Sequence, residues 1–245
     1  MINRVLITGA TGLIGRGICS ELGAEHDVLF TARNISNLSS SRFYPFDLCQ
    51  TTEIKNFLDS LQPEVIVHTS AVTSIAEVAQ DKEYAQRINV DAVREIAEWC
   101  EENDARMIHF STDFIFDGTR FDYTENDEPH PVSSYGKMKW ESELAVSGVL
   151  KNHLIIRPIL VYGYFDNMAR LNFPLLVISK LQKGEEMFIT SDQVRMPTHV
   201  SDIARVVKKA LFSEHTGCLH LSGSELIDMY EFALKVADVF QLDAS

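Results

Sequence analysis

Short apolar runs rich in β-branched residues alternate along this chain with longer segments whose apolar positions recur at helical spacing. That rhythm predicts strands over 4–8, 28–31, 43–46, 65–69, 107–111 and 154–157, and helices over 13–22, 52–61, 83–101 and 135–146. Strand and helix in turn argue for a doubly wound α/β fold: a parallel sheet with helices on both faces. Residues 113–134 carry Gly118, Pro129, Pro131 and many acids, and read as a loop over one end of the sheet. Beyond Arg157 the rhythm changes. The pattern predicts a helix over 171–183, a short strand over 187–189, a helix capped by Ser201, a strand over 218–221, and a last helix to Phe240 opened by Asp228 and Glu231. With no repeat and no low-complexity linker, residues 161–245 are expected to form a small substrate-binding lobe interwoven with a dinucleotide-binding domain over 1–160.

In doubly wound sheets ligands bind beyond the carboxyl ends of the strands. Gly9, Arg33, Asp47, Ala71, Thr112 and Pro158 all fall just past predicted strand ends. Gly9, Gly12 and Gly15 follow the first strand with the spacing G-x-x-G-x-x-G and open a helix. Glycines there permit a tight turn and close approach of the backbone to phosphates, and the helix N-terminus favours a pyrophosphate. Gly9, Thr11, Gly12, Leu13, Ile14 and Gly15 are therefore cofactor-binding candidates. An acidic residue at the end of the second strand would bond a ribose 2′-hydroxyl. The chain has Thr31-Ala-Arg33-Asn34 instead, and a guanidinium suits a 2′-phosphate, so NADP(H) is favoured over NAD(H). Tyr135 and Lys139 stand i, i+4 on one helix face, a phenol beside an ammonium, as proton delivery to a carbonyl requires.

A chain of 245 residues, 45% hydrophobic and 23% charged, can bury a full core. Its net charge of −13 disfavours nucleic acid and anionic membrane surfaces as partners. Cys19, Cys49, Cys100 and Cys218 are scattered without metal-ligand spacing, as are the eight histidines. Reduced thiols in a cytoplasmic protein without a metal site are the expectation. Neither a leader peptide nor a membrane-spanning apolar run is read from the pattern.

The segments Thr8-Gly-Ala-Thr-Gly-Leu-Ile-Gly15, Ser111-Thr-Asp-Phe-Ile-Phe-Asp-Gly118 and Tyr135-Gly-Lys-Met-Lys139 resemble the extended short-chain dehydrogenase/reductase superfamily. The second segment, with Asp192-Gln193, Pro197-Thr198, Asp202, Gly223 and Tyr230-Glu-Phe232, resembles its dTDP-4-dehydrorhamnose reductase branch. The resemblance covers the whole chain. It implies a Rossmann-type fold and a reductase of a nucleotide-activated keto-deoxysugar. Tyr135 is then the proton donor, Lys139 the residue that binds the nicotinamide ribose and lowers the phenol pKa, and Thr112 the partner of the substrate oxygen. Asp113 lies in the substrate site, Asp47 and Leu48 hold the adenine, and Ser70, Ala71 and Val72 wall the ribose and nicotinamide. Arg195 falls where a nucleotide-sugar pyrophosphate would pass, as ligand contact or internal salt bridge; Arg157 reads as a structural pair. Helices of this superfamily pair across dimers, so a homodimer is implied.

Three departures accompany the resemblance. Phe114 replaces the branch's tyrosine, Leu160 stands where a tryptophan is common, and branch members continue a few dozen residues past the last helix seen here. Two other readings share the motifs: an epimerase or dehydratase using the same triad, and a non-catalytic NADP-binding subunit. The regulatory beta subunit of methionine adenosyltransferase resembles this branch and keeps the Tyr/Lys pair.

Overall fold

The computed structural model describes residues 4–23, 27–33, 42–168 and 170–244. In chain order its elements begin with β1 (Arg4–Thr8), α1 (Leu13–Leu22), β2 (Asp27–Thr31), α2 (Ile54–Leu61) and β3 (Val65–His68). Next come α3 (Ile75–Gln80), α4 (Lys82–Gln86), α5 (Ala92–Glu102), β4 (Arg106–Phe110), α6 (Ser134–Ser147), β5 (His153–Pro158) and β6 (Val161–Tyr162). The last third contains α7 (Phe173–Gln182), β7 (Val194–Arg195), β8 (Thr198–His199), α8 (Val200–Leu211), β9 (Gly217–Leu221), β10 (Ile227–Asp228) and α9 (Met229–Val239).

Six strands form one parallel sheet in the order β2-β1-β3-β4-β5-β9. Their alternation explains the layering. Leu6, Leu29, Ile66, Met107 and Ile155 face Ile54 and Leu58 of α2 and Val93, Ile96 and Trp99 of α5. Val5, Ile7, Val28, Val67, Ile108 and Ile156 face Ile18 and Leu22 of α1 and Ile203, Ala204 and Val207 of α8. Both faces are covered, as a sheet of parallel strands requires. The chain after residue 160 thus returns to the sheet, placing β9 at its edge and α8 against α1. Gly17 lets the two helices meet, since a Cβ there would lie 2.6 Å from Val200 Cγ2. The α7 and α9 helices close a separate apolar cluster around Val177, Ala233 and Val236. No helix among the described residues is long and apolar enough to cross a membrane.

Four local expectations are corrected. Residues 43–46 run beside β2 but make only an isolated bridge at Phe43; β2 ends at Thr31, and Pro45, lacking an N–H, suits such an edge. Residues 187–189 form no strand, though Met187 and Ile189 pack inward while Phe188 is exposed. The alternation was real, but no neighbouring strand supplies a ladder. The expected helix over 83–101 is interrupted by a wide π turn over Arg87–Asp91. The α8 helix is capped by His199, whose side chain accepts from the Ser201 N–H.

Candidate active site

The first cleft is built where β1 turns into α1. Gly9 has φ +66°, and a Cβ there would lie 2.8 Å from both the Ser70 backbone N and Thr69 Oγ1. At Gly15 a Cβ would lie 2.3 Å from the Gly9 carbonyl oxygen, so the helix packs against the turn only because both positions lack side chains. The Gly12 N–H closes the turn on the Gly9 carbonyl at 2.9 Å. Gly12 also serves as N-cap, with no side-chain cap and no acidic residue in the first turn. The opening amides and the positive end of the dipole are thus left for an anion.

Gly9, Thr11, Gly12, Arg33, Asp47, Leu48, Ser70, Ala71 and Val72 line one cleft of about 240 Å³. Leu13, Ile14 and Gly15 form the first helical turn behind it, with Ile14 packed on the core. Arg33 Nη1 donates to the Tyr84 hydroxyl at 2.7 Å. Asp47 Oδ1 accepts from the Cys49 N–H at 3.0 Å, which fixes the turn after residue 46. Asn34 lies outside the described residues. The cavity, its glycine floor and the uncapped helix terminus fit a dinucleotide.

Sequence reasoning missed Asn89. It sits fully buried in the π turn between α4 and α5, where its Oδ1 accepts from the Val72 N–H at 2.8 Å and its Nδ2 donates to the Val72 carbonyl at 3.0 Å. One amide thereby holds the cleft wall at both backbone groups. An asparagine in a helical run is disfavoured by propensity alone; that was the one local signal.

Thr112 follows β4 and caps a 3₁₀ turn over Asp113–Ile115, its Oγ1 accepting from the Phe114 N–H at 3.2 Å and donating to Asp113 Oδ1 at 3.2 Å. The α6 helix, capped by Ser133, lies against that turn. Gly136 makes the approach feasible, because a Cβ there would stand 2.1 Å from the Phe114 carbonyl oxygen. Tyr135 and Lys139 are both buried on α6. Tyr135 packs edge-on to Phe114, with centroids 6.1 Å apart, in a cluster that Val72 also touches. Phe114 lines the second cleft and Val72 the first, so this cluster backs both walls.

Burial pushes the Tyr135 phenol up, and the nearby Asp113 pushes it further; the neighbouring Thr112 hydroxyl opposes them. Lys139 turns to His109 instead, with Nζ 3.2 Å from Nε2. Burial lowers the Lys139 ammonium to about 8, opposed by Glu143.

The second cleft, about 430 Å³, is lined by Asp113, Phe114, Phe116, Arg157, Ile159, Arg195 and His220 among others. Arg195 Nη1 meets Asp113 Oδ2 at 2.7 Å and lies over the Phe114 ring at 5.1 Å, tying β7 to the 3₁₀ turn. Arg195 is thus both an internal ion pair and a cleft wall. Burial raises the Asp113 carboxyl, and Arg195 pulls against that shift. Arg157 pairs with Glu143 at 2.7 Å, both almost fully buried. A phenol near a threonine hydroxyl can in principle deliver a proton to a carbonyl oxygen.

Residues 3–245 match the family described as RmlD substrate binding domain. The chain is 33% identical over 252 residues to methionine adenosyltransferase 2 subunit beta of Bos taurus, covering 99% of this chain and 73% of that protein. It is 28% identical over 242 residues to a probable low-salt glycan biosynthesis reductase of Haloferax volcanii, covering 98% of this chain and 81% of the other. Among solved structures, the dTDP-4-dehydrorhamnose reductase of Bacillus anthracis in complex with NADP superposes with a TM-score of 0.86 at 26% identity, covering 100% of this chain and 83% of that one. The glycine turn and this match along nearly the whole sequence agree: the chain belongs to the RmlD substrate binding domain family.

Proposed function

We propose that this protein is an NADP(H)-dependent reductase acting on the keto group of a nucleotide-activated deoxysugar. The observation that supports the reading is Tyr135 buried against Phe114, which lines the second cleft, with Thr112 and Lys139 also buried. When bound, a nicotinamide would supply the hydride. Gly9, Thr11, Gly12, Leu13, Ile14 and Gly15 would hold the pyrophosphate, Asp47 and Leu48 the adenine, and Ser70, Ala71 and Val72 the ribose side. Arg33, exposed at the cleft and with no carboxylate in Thr31-Ala-Arg33, favours a 2′-phosphate, and so NADP(H) over NAD(H).

Tyr135 would give its proton to the carbonyl oxygen as charge develops there, and the raised phenol keeps that proton in place until then. Thr112 would hydrogen-bond the same oxygen. Asp113 and Arg195 would position the sugar and its nucleotide. The functional division assigns cofactor to residues 1–160 and substrate to residues 161–245, in a homodimer within the cytoplasm. Neither nucleic acid nor membrane enters this reading.

A second reading has its own support. The 33% identity to methionine adenosyltransferase 2 subunit beta favours a non-catalytic NADP-binding subunit. A dehydratase is less favoured, since Phe114 stands where a further acid or base is needed, and an epimerase using the same triad is a further alternative. Loss of NADPH absorbance with dTDP-4-dehydrorhamnose separates the readings. The reductase predicts turnover in the wild type and its loss, by about 10²-fold or more, in Tyr135→Phe, with NADPH affinity within a few-fold. Turnover equal in the two proteins would remove the mechanism. NADPH binding without oxidation of any keto-sugar would move the assignment to the regulatory reading.

A further inference from the structure

Two buried histidines not used by the chemistry above lie against Lys139. His68 ends β3 and His109 sits in β4, and their rings stack with centroids 5.5 Å apart at 23°. His68 Nδ1 pairs with Thr8 Oγ1 at 2.9 Å. His109 Nε2 has two neighbours from α6: Lys139 Nζ at 3.2 Å and Ser142 Oγ at 2.9 Å. His109 Nδ1 and His68 Nε2 are buried without a hydrogen-bond partner among the described residues.

A buried ammonium needs an acceptor, and a carboxylate is the usual one. Lys139 makes no ion pair among the described residues; Glu143, one turn further along α6, is held by Arg157. Its acceptor is a neutral ring. The ring stays neutral because burial holds His109 well below its ordinary value, with Lys139, His68 and His153 adding to the effect.

A neutral imidazole has one N–H and one lone pair, so Nε2 cannot serve both neighbours alike. Ser142 Oγ already donates to the Lys139 carbonyl at 2.7 Å, which leaves its oxygen lone pairs to accept from an Nε2–H. Two arrangements follow. With the proton on Nδ1, Nε2 accepts from the ammonium and the orphaned Nδ1–H is the cost. With the proton on Nε2, Ser142 receives it and the ammonium is released.

We propose that His109 is a positioning residue for Lys139: its Nε2 lone pair holds the ammonium in the cofactor-free protein, and Ser142 takes the Nε2–H when Lys139 turns to a cofactor ribose. This rests on the reading of Lys139 as a cofactor-binding residue. A carboxylate at position 109 would lock the ammonium, whereas a ring with two tautomers can let it go.

Two measurements test this. Long-range ¹H–¹⁵N correlation of His109 is expected to show Nε2 without a proton in the cofactor-free wild type, and Nε2 protonated after NADPH is added. Lys139→Met is expected to show the Nε2–H form without cofactor. An Nε2–H in the cofactor-free wild type overturns the proposal, whatever any variant does.

The second measurement is NADPH affinity against pH. Wild-type affinity is expected to fall as pH rises through about 8, where Lys139 loses its proton. Tyr135 and Glu143 on α6, His68 on β3 and His153 on β5 surround the pair and stay in place in each variant. In His109→Leu the fall is expected about one pH unit lower, since one unit is a tenfold change in protonation. His109→Gln, which keeps an acceptor, is expected to restore the midpoint. A merely structural role would lower affinity at every pH and leave the midpoint alone. An unchanged midpoint in His109→Leu, with affinity lost in Lys139→Met, overturns the positioning role and spares the reading beneath it. Undiminished affinity in Lys139→Met overturns both. Should His109→Leu fail to fold, the tautomer measurement on the wild type decides.

Discussion

His68 shows how much a single ring depends on its enclosure. Burial, with the Lys139 charge adding to it, lowers its imidazole from 6.5 to about 3. Between those values the unfolded chain binds a proton that the folded chain refuses, so stability rises with pH across this window and is lost as pH falls through it. Replacing His68 with Phe removes one such group. The expected outcome is a shallower loss of the urea midpoint between about pH 7 and about pH 5, together with a cost of about 1 kcal/mol at the upper pH for the Thr8 hydrogen bond. An equal loss in wild type and variant would refute the assignment. His109 carries the same sign and remains in the variant, so the slope flattens without vanishing. Asn89 makes the contrasting case: its value lies in two hydrogen bonds to one residue, and no titration is involved.

Between elements, the closest approach near the proposed chemistry is α6 against the 3₁₀ turn at Asp113–Ile115. Two effects of opposite sign meet at Gly136. Helix propensity favours alanine over glycine by about 1 kcal/mol. A methyl group there would lie 2.1 Å from the Phe114 carbonyl oxygen, a backbone atom that cannot swing away. Overpacking costs about 1–3 kcal/mol, and more when backbone must move, so the steric effect wins. Gly136→Ala is expected to lower the urea midpoint and to weaken keto-sugar turnover, because Tyr135 shifts with the helix. A raised midpoint would show that propensity governs and that the helix has room. The π turn belongs to this scale too: widening the helix at Arg87–Asp91 is what aims Asn89 at Val72.

Across the whole molecule, the last third of the chain returns to complete the first. The β9 strand closes the sheet against β5, α8 covers the face that α1 begins, and Arg195 on β7 reaches Asp113 on the 3₁₀ turn. Arg157 and Glu143 tie β5 to α6 with both side chains almost fully buried. Removing one partner strands the other charge, which costs about 3–5 kcal/mol. Glu143→Gln is therefore expected to lose that much stability by chemical denaturation, and Glu143→Leu combined with Arg157→Met far less. If the single variant proves as stable as the double, the pair does not hold β5 to α6.

By itself the sequence determined what depends on short-range chemistry. Strand alternation assigned Leu6 and Ile7 to opposite faces, the glycine spacing placed the turn at residues 9–15, and the i, i+4 step put Tyr135 and Lys139 on one side of α6. Most residues of the first cleft were legible because they follow strand ends, and parallel strands bring their ends together; Asp47 and Leu48 follow a segment that forms no strand. Tertiary structure decided what needs a partner distant in the chain. Residues 187–189 alternate like a strand but find no ladder, so they pack as an irregular segment. Arg195 gives no sign in its neighbours of reaching Asp113, 82 residues earlier. That Lys139 lowers the Tyr135 phenol was implied by the family resemblance alone. Burial and Asp113 set the direction instead, and the Lys139 ammonium turns to His109. Periodicity is a property of neighbours a few residues apart, whereas burial, ion pairing and ring contacts arise only once the sheet has brought distant segments together.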